Sequence, residues 1–185
     1  MIDVNELRAG VTFTMDGELF KVLEYQHHKP GRGKATIRTK LRNLRTGATI
    51  QHNFISGDRV EDIRVERREV QYLYSDDRFY YFMDTGTYEQ MVLSAATLEA
   101  EKPYLKEEMM LNIAVYEGEA IDVDLPITVE LAIVSCEMAV AGDTATGATK
   151  RATVETGLDV QVPLFVNEGD VIRVDTRTGE YITRV

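Results

Sequence analysis

The residues of this 185-residue chain whose types and spacing suit chemistry are cationic, and they gather in Lys29-Pro30-Gly31-Arg32-Gly33-Lys34-Ala35. Three cations on a glycine-punctuated stretch suit phosphate oxygens: a guanidinium offers a planar fork of donors, and an ammonium a point charge. Pro30 fixes φ and has no N–H to donate, while Gly31 and Gly33 permit φ > 0. The three are therefore expected to hold Arg32 in a tight, exposed turn at a hairpin tip. Downstream, Thr36 to Arg42 alternates, with Arg38, Lys40 and Arg42 on one face of a strand and Ile37 and Leu41 on the other. Upstream, Phe20 to Tyr25 reads as the opposing strand.

Charge patterning sets this hairpin apart. Between Tyr25 and Gly57 there is no Asp or Glu, yet this window holds seven Lys or Arg (29, 32, 34, 38, 40, 42, 45) and all three histidines (27, 28, 52). The chain as a whole carries −10. Residues 1–64 have 11 basic and 8 acidic groups, net +3; residues 65–126 are net −9 and residues 127–185 net −4. One end attracts phosphate and the middle repels it, so such a molecule touches RNA at chosen points rather than coating it. A solvated basic hairpin without a partner is the competing reading of the charge run taken alone.

Catalytic constellations are missing from the sequence. Gly142-x4-Gly147 begins like a phosphate loop, but Ala148-Thr149 stands where Lys-Ser/Thr is required, and it lies between strands. There is no His-Glu-x-x-His, no cysteine pair and no Gly-x-Ser-x-Gly. His27 and His28 are adjacent, so on a strand they point to opposite faces and cannot share one metal. Cys136 reads as a half-buried strand residue with nothing nearby to lower its pKa. The expectation is a protein without enzymatic activity, metal or cofactor.

The elements that must position the tip read as all-β, in three small β-barrels. In residues 1–64, Asp16-Gly17 between apolar runs signals a hairpin, and five or so short strands suggest a closed or half-closed SH3-like barrel. With arms extending about five residues at ~3.3 Å each, Arg32 stands roughly 16 Å proud of it. Residues 65–126 form a second barrel, with one helix-like stretch at 95–110 broken by Pro103. Seven aromatics between Tyr72 and Tyr88 could stack bases, but in a unit of −9 core packing is the better reading. Residues 127–185 form a third, similar unit with an exposed loop over 142–150. The second and third units are expected to pack together, and the first to pivot near Arg64 to Glu66. No apolar run reaches 18 residues and no signal-peptide pattern opens the chain. With a lone cysteine, that reads as a soluble cytoplasmic protein with no membrane partner.

On these residues the chain resembles the bacterial elongation factor P family over essentially its whole length. The Lys29–Ala35 hairpin is similar to the family's N-terminal tip. Lys150-x-Ala152-x4-Gly157-x2-Val160-x-Val162-Pro163-x2-Val166-x2-Gly169 fits its C-terminal signature, and the ending Val174 to Tyr181 looks the same as in many members. The resemblance implies an L shape built from an N-terminal KOW/SH3-like barrel and two OB-like barrels. It implies a monomer that contacts both ribosomal subunits between the peptidyl and exit tRNA sites and relieves stalling at consecutive prolines. Carried over by residue, Arg32 is the tip, and Lys29, Pro30, Gly31, Gly33 and Lys34 meet P-site peptidyl-tRNA. Gly142, Asp143 and Thr144 approach the exit-site codon, and Tyr181 and Arg184 face small-subunit RNA.

There are departures. Many members carry a modified lysine at the tip, whereas Arg32 has no primary amine to modify in that way. The chain is similar to arginine-tip members, some of which carry rhamnose on that arginine. The resemblance leaves two states open for Arg32: rhamnosylated, with an arginine glycosyltransferase as a partner, or bare. Arg151 replaces a frequent proline, and residues 137–141 lack the usual double proline before Gly142. Two alternatives stay open: a paralogue of the family with a different stalling specificity, and a non-ribosomal RNA-binding protein on KOW and OB barrels.

Overall fold

Short apolar–polar alternations punctuated by glycine turns make strands. The computed structural model, which describes residues 1–138 and 147–185, is accordingly built of antiparallel sheets. The first unit comprises β1 (Ile2–Asp3), β2 (Thr12–Met15), β3 (Glu18–His28), β4 (Thr36–Asn43), β5 (Thr49–Ile55) and β6 (Arg59–Asp62), in the order β1-β6-β2-β3-β4-β5. Asp16 at φ 53 and Gly17 at φ 79 make the two-residue turn between β2 and β3, where both central residues need φ > 0. Phe13, Phe20, Val22, Ile37, Leu41 and Phe54 point inward and close over Val4 and Leu7. The sheet curls into a half-barrel, with β1 and β5 left as its edges.

The second unit holds β7 (Glu66–Ser75), β8 (Phe79–Asp84), β9 (Gln90–Ser94), β10 (Met110–Tyr116) and β11 (Glu119–Asp124), ordered β11-β10-β7-β8-β9. The third holds β12 (Thr128–Cys136), β13 (Thr149–Val154), β14 (Asp159–Pro163), β15 (Val171–Asp175) and β16 (Tyr181–Arg184), ordered β14-β13-β12-β15-β16. In both sheets the unit's first strand is central. Its second and third strands lie on one side and its fourth and fifth on the other, so one topology is used twice. Cys136 is half-buried at the end of β12 and packs on the third core.

Two features differ from the sequence expectation. The helix-like stretch is a pair of single 3₁₀ turns, Ala95–Leu98 and Lys102–Tyr104, and a third such turn sits at Val4–Glu6. Pro103 prevents the first two from merging, because it cannot donate within a helix. The aromatics of the second unit are also divided. Tyr72 and Phe82 are buried, but Tyr74, Phe79 and Tyr88 are exposed. For Tyr74 the cause is a bulge between Tyr72 and Tyr74, which shifts the register so that Tyr74 faces out opposite Tyr81; Phe79 shares the parity of Tyr81 on β8, and Tyr88 lies in the connection between β8 and β9.

The joint near Arg64 to Glu66 is covered. Leu19 and Leu44 of the first unit pack on Ala114 and Ile121 of the second, with Ile63, Val65 and Tyr116 around them. Gly47, at φ +78, lies so close to the second unit that a Cβ would sit 2.2 Å from the Ala96 carbonyl oxygen. Between the second and third units, the Thr156 hydroxyl donates to the Pro103 carbonyl at 2.5 Å and Lys106 pairs with Glu155 at 3.0 Å. Among the described residues no helix is long and apolar enough to cross a membrane.

Candidate nucleic-acid interface

The two longest arms of the first sheet carry the basic segment. β3 and β4 pair from Phe20↔Asn43 to His28↔Thr36, and residues 29–35 connect them. This loop is wider than the tight turn expected. Only Gly33, at φ +104, takes a conformation reserved for glycine; Gly31 does not. Lys29, Gly31, Arg32, Gly33 and Lys34 are exposed and Pro30 is half-buried. The downstream end is tied to the body, since the Ser56 N–H donates to the Ala35 carbonyl at 2.8 Å. Ile37 is the first fully buried residue after the tip. Arg32 precedes it by five positions, so at ~3.3 Å per residue the tip reaches up to roughly 16 Å from the core.

The basic window does not act as a single face. Arg42 shares the outward parity of Arg38 and Lys40, but there the outer face of the sheet is capped by the second unit. Arg42 is buried, donating to Glu101 at 2.8 and 3.2 Å and to Asp122 at 3.1 Å. Its strand neighbour Lys21 pairs with the same Asp122. Lys40 pairs with Glu24 at 3.0 Å, and Arg45 lies 3.5 Å from Glu119. Among the described residues Lys29, Arg32, Lys34 and Arg38 form no ion pair, and all four are exposed.

Arg38 opens a groove of about 340 Å³ on the outer face of β3, β4 and β5. Cross-strand pairing sets Gln26 and Asn53 on either side of Arg38, and Glu24 and Gln51 on either side of Lys40. Three carboxamides and a guanidinium form a donor-rich lining suited to phosphate oxygens and base edges. Sequence reasoning found Arg38 but missed Gln26, Gln51 and Asn53. Their signal is the strand register, which depends on a bulge between Val22 and Glu24.

In the third unit, Tyr181 and Arg184 both lie on β16. Tyr181 is half-buried against the core and lines a groove with Thr149, Asp159, Gln161 and Pro163. The Arg184 guanidinium sits 5.3 Å over the Phe165 ring and 3.6 Å from Asp170. Gly142, Asp143 and Thr144 lie outside the described residues. Lys150, which opens the C-terminal signature, is buried and inward-facing on β13.

Three family models match the chain in succession: the elongation factor P KOW-like domain over residues 3–60, the elongation factor P OB domain over 65–123, and elongation factor P, C-terminal, over 129–184. Among curated proteins, elongation factor P of Caldanaerobacter subterraneus subsp. tengcongensis is 52% identical over 185 residues, covering all of both chains. That of Moorella thermoacetica is 52% identical over 184 residues, again with full coverage of each. A solved structure, eukaryotic translation initiation factor 5A from Methanococcus jannaschii, is 20% identical at a TM-score of 0.46; the match covers 66% of this chain and 92% of that one.

Proposed function

The chain belongs to the elongation factor P family, and on that premise we propose that it binds the ribosome between the peptidyl and exit tRNA sites and promotes peptide-bond formation where consecutive prolines stall it. The observation that carries this reading is the exposed tip: three exposed cations at Lys29, Arg32 and Lys34, continued along β4 by Arg38, on a protein whose other units are acidic. Such a molecule is drawn to RNA by one end and kept from wrapping it by the rest.

In this mechanism the factor supplies no reacting group. Lys29 and Lys34 hold phosphates near the acceptor end of peptidyl-tRNA, and the Arg32 guanidinium offers a planar fork of donors to that end. Fixing the acceptor end removes wasted orientations, and orientation alone accounts for large rate effects. Pro30 fixes its own φ, which lowers the ordering cost of binding, while Gly33 supplies the left-handed position that the loop's path requires. Gly142 to Thr144, Tyr181 and Arg184 contact RNA of the exit site and small subunit. The exposed Arg32 side chain is also reachable by a glycosyltransferase. The mass of the Arg32 peptide from the native host reads this directly, because an added deoxyhexose marks rhamnosylation and a bare arginine excludes it.

The test is reconstituted translation of a proline-run message with wild type and Arg32→Ala. The variant is expected to lose the stimulation of the proline-run step, by roughly tenfold or more, with its thermal unfolding unchanged. Equal rates for the two proteins overturn the role given to the tip.

A further inference from the structure

The aromatics of the second unit that do not enter its core form a surface of their own. Tyr74, Tyr81 and Val92 are cross-strand partners on β7, β8 and β9, and all face outward. The Tyr74 and Tyr81 rings stack at 4.6 Å between centroids, 23° apart. Phe79, two residues before Tyr81, shares their face. Tyr74, Val92 and Phe79 are 49, 44 and 40% exposed and Tyr81 is half-buried, so this row leaves aromatic surface in water.

Carboxylates surround it. Asp76 accepts from the Tyr81 hydroxyl at 2.8 Å and from the N–H groups of Arg78 and Phe79 at 2.8 and 2.7 Å, which fixes the turn and the ring together. Asp77 is exposed beside it. The Glu108 N–H donates to the Tyr72 carbonyl at 2.8 Å, which brings exposed Glu107 and Glu108 to the β7 edge of the row. Arg78 is the one cation in the turn, within a unit of net −9.

We propose that this face docks a lysine- and arginine-rich protein segment. Aromatic faces attract cations, by about 0.5–1 kcal/mol per contact at exposed sites, and the flanking carboxylates attract the same charges. Nucleic acid also stacks on aromatics, but its phosphates are repelled by the surrounding acids. The row crosses three strands at ~4.8 Å spacing, which matches several consecutive side chains better than one small ion. This inference stands apart from the tip, which lies in another unit.

The probe is an octa-arginine peptide titrated into the full chain, followed by NMR shifts of Tyr74, Tyr81 and Val92. The double variant Tyr74→Ser, Tyr81→Ser keeps the net charge and removes both rings; with the Tyr81 hydroxyl it also removes one of the three bonds that Asp76 accepts, and the two backbone bonds of the turn remain. It is expected to bind the peptide roughly five- to thirty-fold more weakly, the equivalent of two cation–π contacts. Equal affinity in the variant means that charge alone attracts the peptide and overturns the proposal. So do shifts confined to other acidic loops of the wild type, a readout that needs no variant. An oligouridylate single strand that moves these three residues more than the peptide does also overturns it, in favour of a nucleic-acid face.

Discussion

Arg42 and Glu101 meet fork to fork across a unit boundary: Nη2 lies 2.8 Å from Oε1 and Nη1 3.2 Å from Oε2, with 59 positions between them in the chain. Arg42 also reaches Asp122, and among the described residues its Nε has no partner. Arg42 lies next to the end of β4, the strand that leads out of the tip loop, so this pair orients the hairpin relative to the second unit. Over the ten positions from Arg42 to Arg32, a lever of up to about 33 Å, a small rotation at the pair becomes a displacement of several ångströms at the tip.

Arg42→Ala therefore leaves Glu101 and Asp122 buried without their shared cation. The expected loss is about 3–5 kcal/mol of unfolding free energy, measured by urea denaturation. A loss below about 1 kcal/mol means that the pair behaves as a surface contact.

Two glycines should respond differently to alanine. Gly47→Ala places a Cβ against the Ala96 backbone at a positive φ, and about 2 kcal/mol of destabilisation is expected. Gly31→Ala meets open space at an ordinary φ and should stay within about 0.5 kcal/mol of wild type. Thermal unfolding of both variants checks the contrast.

Arg38→Ala tests whether the groove on β3, β4 and β5 holds phosphate. Its removal is expected to leave stability unchanged and to weaken RNA binding across sequences. The slope of log affinity against log salt should shrink by about 0.7–0.9. An unchanged slope assigns the salt dependence to the tip cations alone.

Acid stability should depend on the last hairpin. Arg177 holds the Asp175 carboxyl down to about 2, through its guanidinium and its own N–H. The folded value lies below the reference 3.8, so the contribution is present above that pH and is lost as pH falls through about 2. Asp175→Asn lacks it at every pH. Between pH 4 and 2, its urea midpoint should fall less than that of wild type.

The readable part of this protein was local. Asp16-Gly17 announced its hairpin, alternation in Thr36 to Leu41 announced which residues enter the core, and the glycine-rich cationic loop announced an exposed tip. Each rests on residues within a few positions of one another, where turn chemistry and side-chain parity decide the outcome. The core-packing expectation failed at Tyr74, because a single bulge reverses every side chain beyond it. The φ of Gly31 was also misjudged, because a seven-residue loop needs fewer left-handed positions than a tight turn.

By itself, then, the amino-acid sequence determined the all-β class, the three-sheet layout and the accessibility of Lys29, Arg32 and Lys34. Only the tertiary structure decided that Arg42 is an interface anchor while Arg38 stays exposed. The two have the same charge and the same parity on one strand. What separates them is the second unit, whose Glu101 and Asp122 cover one end of the sheet and leave the other in water. Long-range packing of that kind has no local signature, because it depends on surfaces brought together from 59 and 80 positions away.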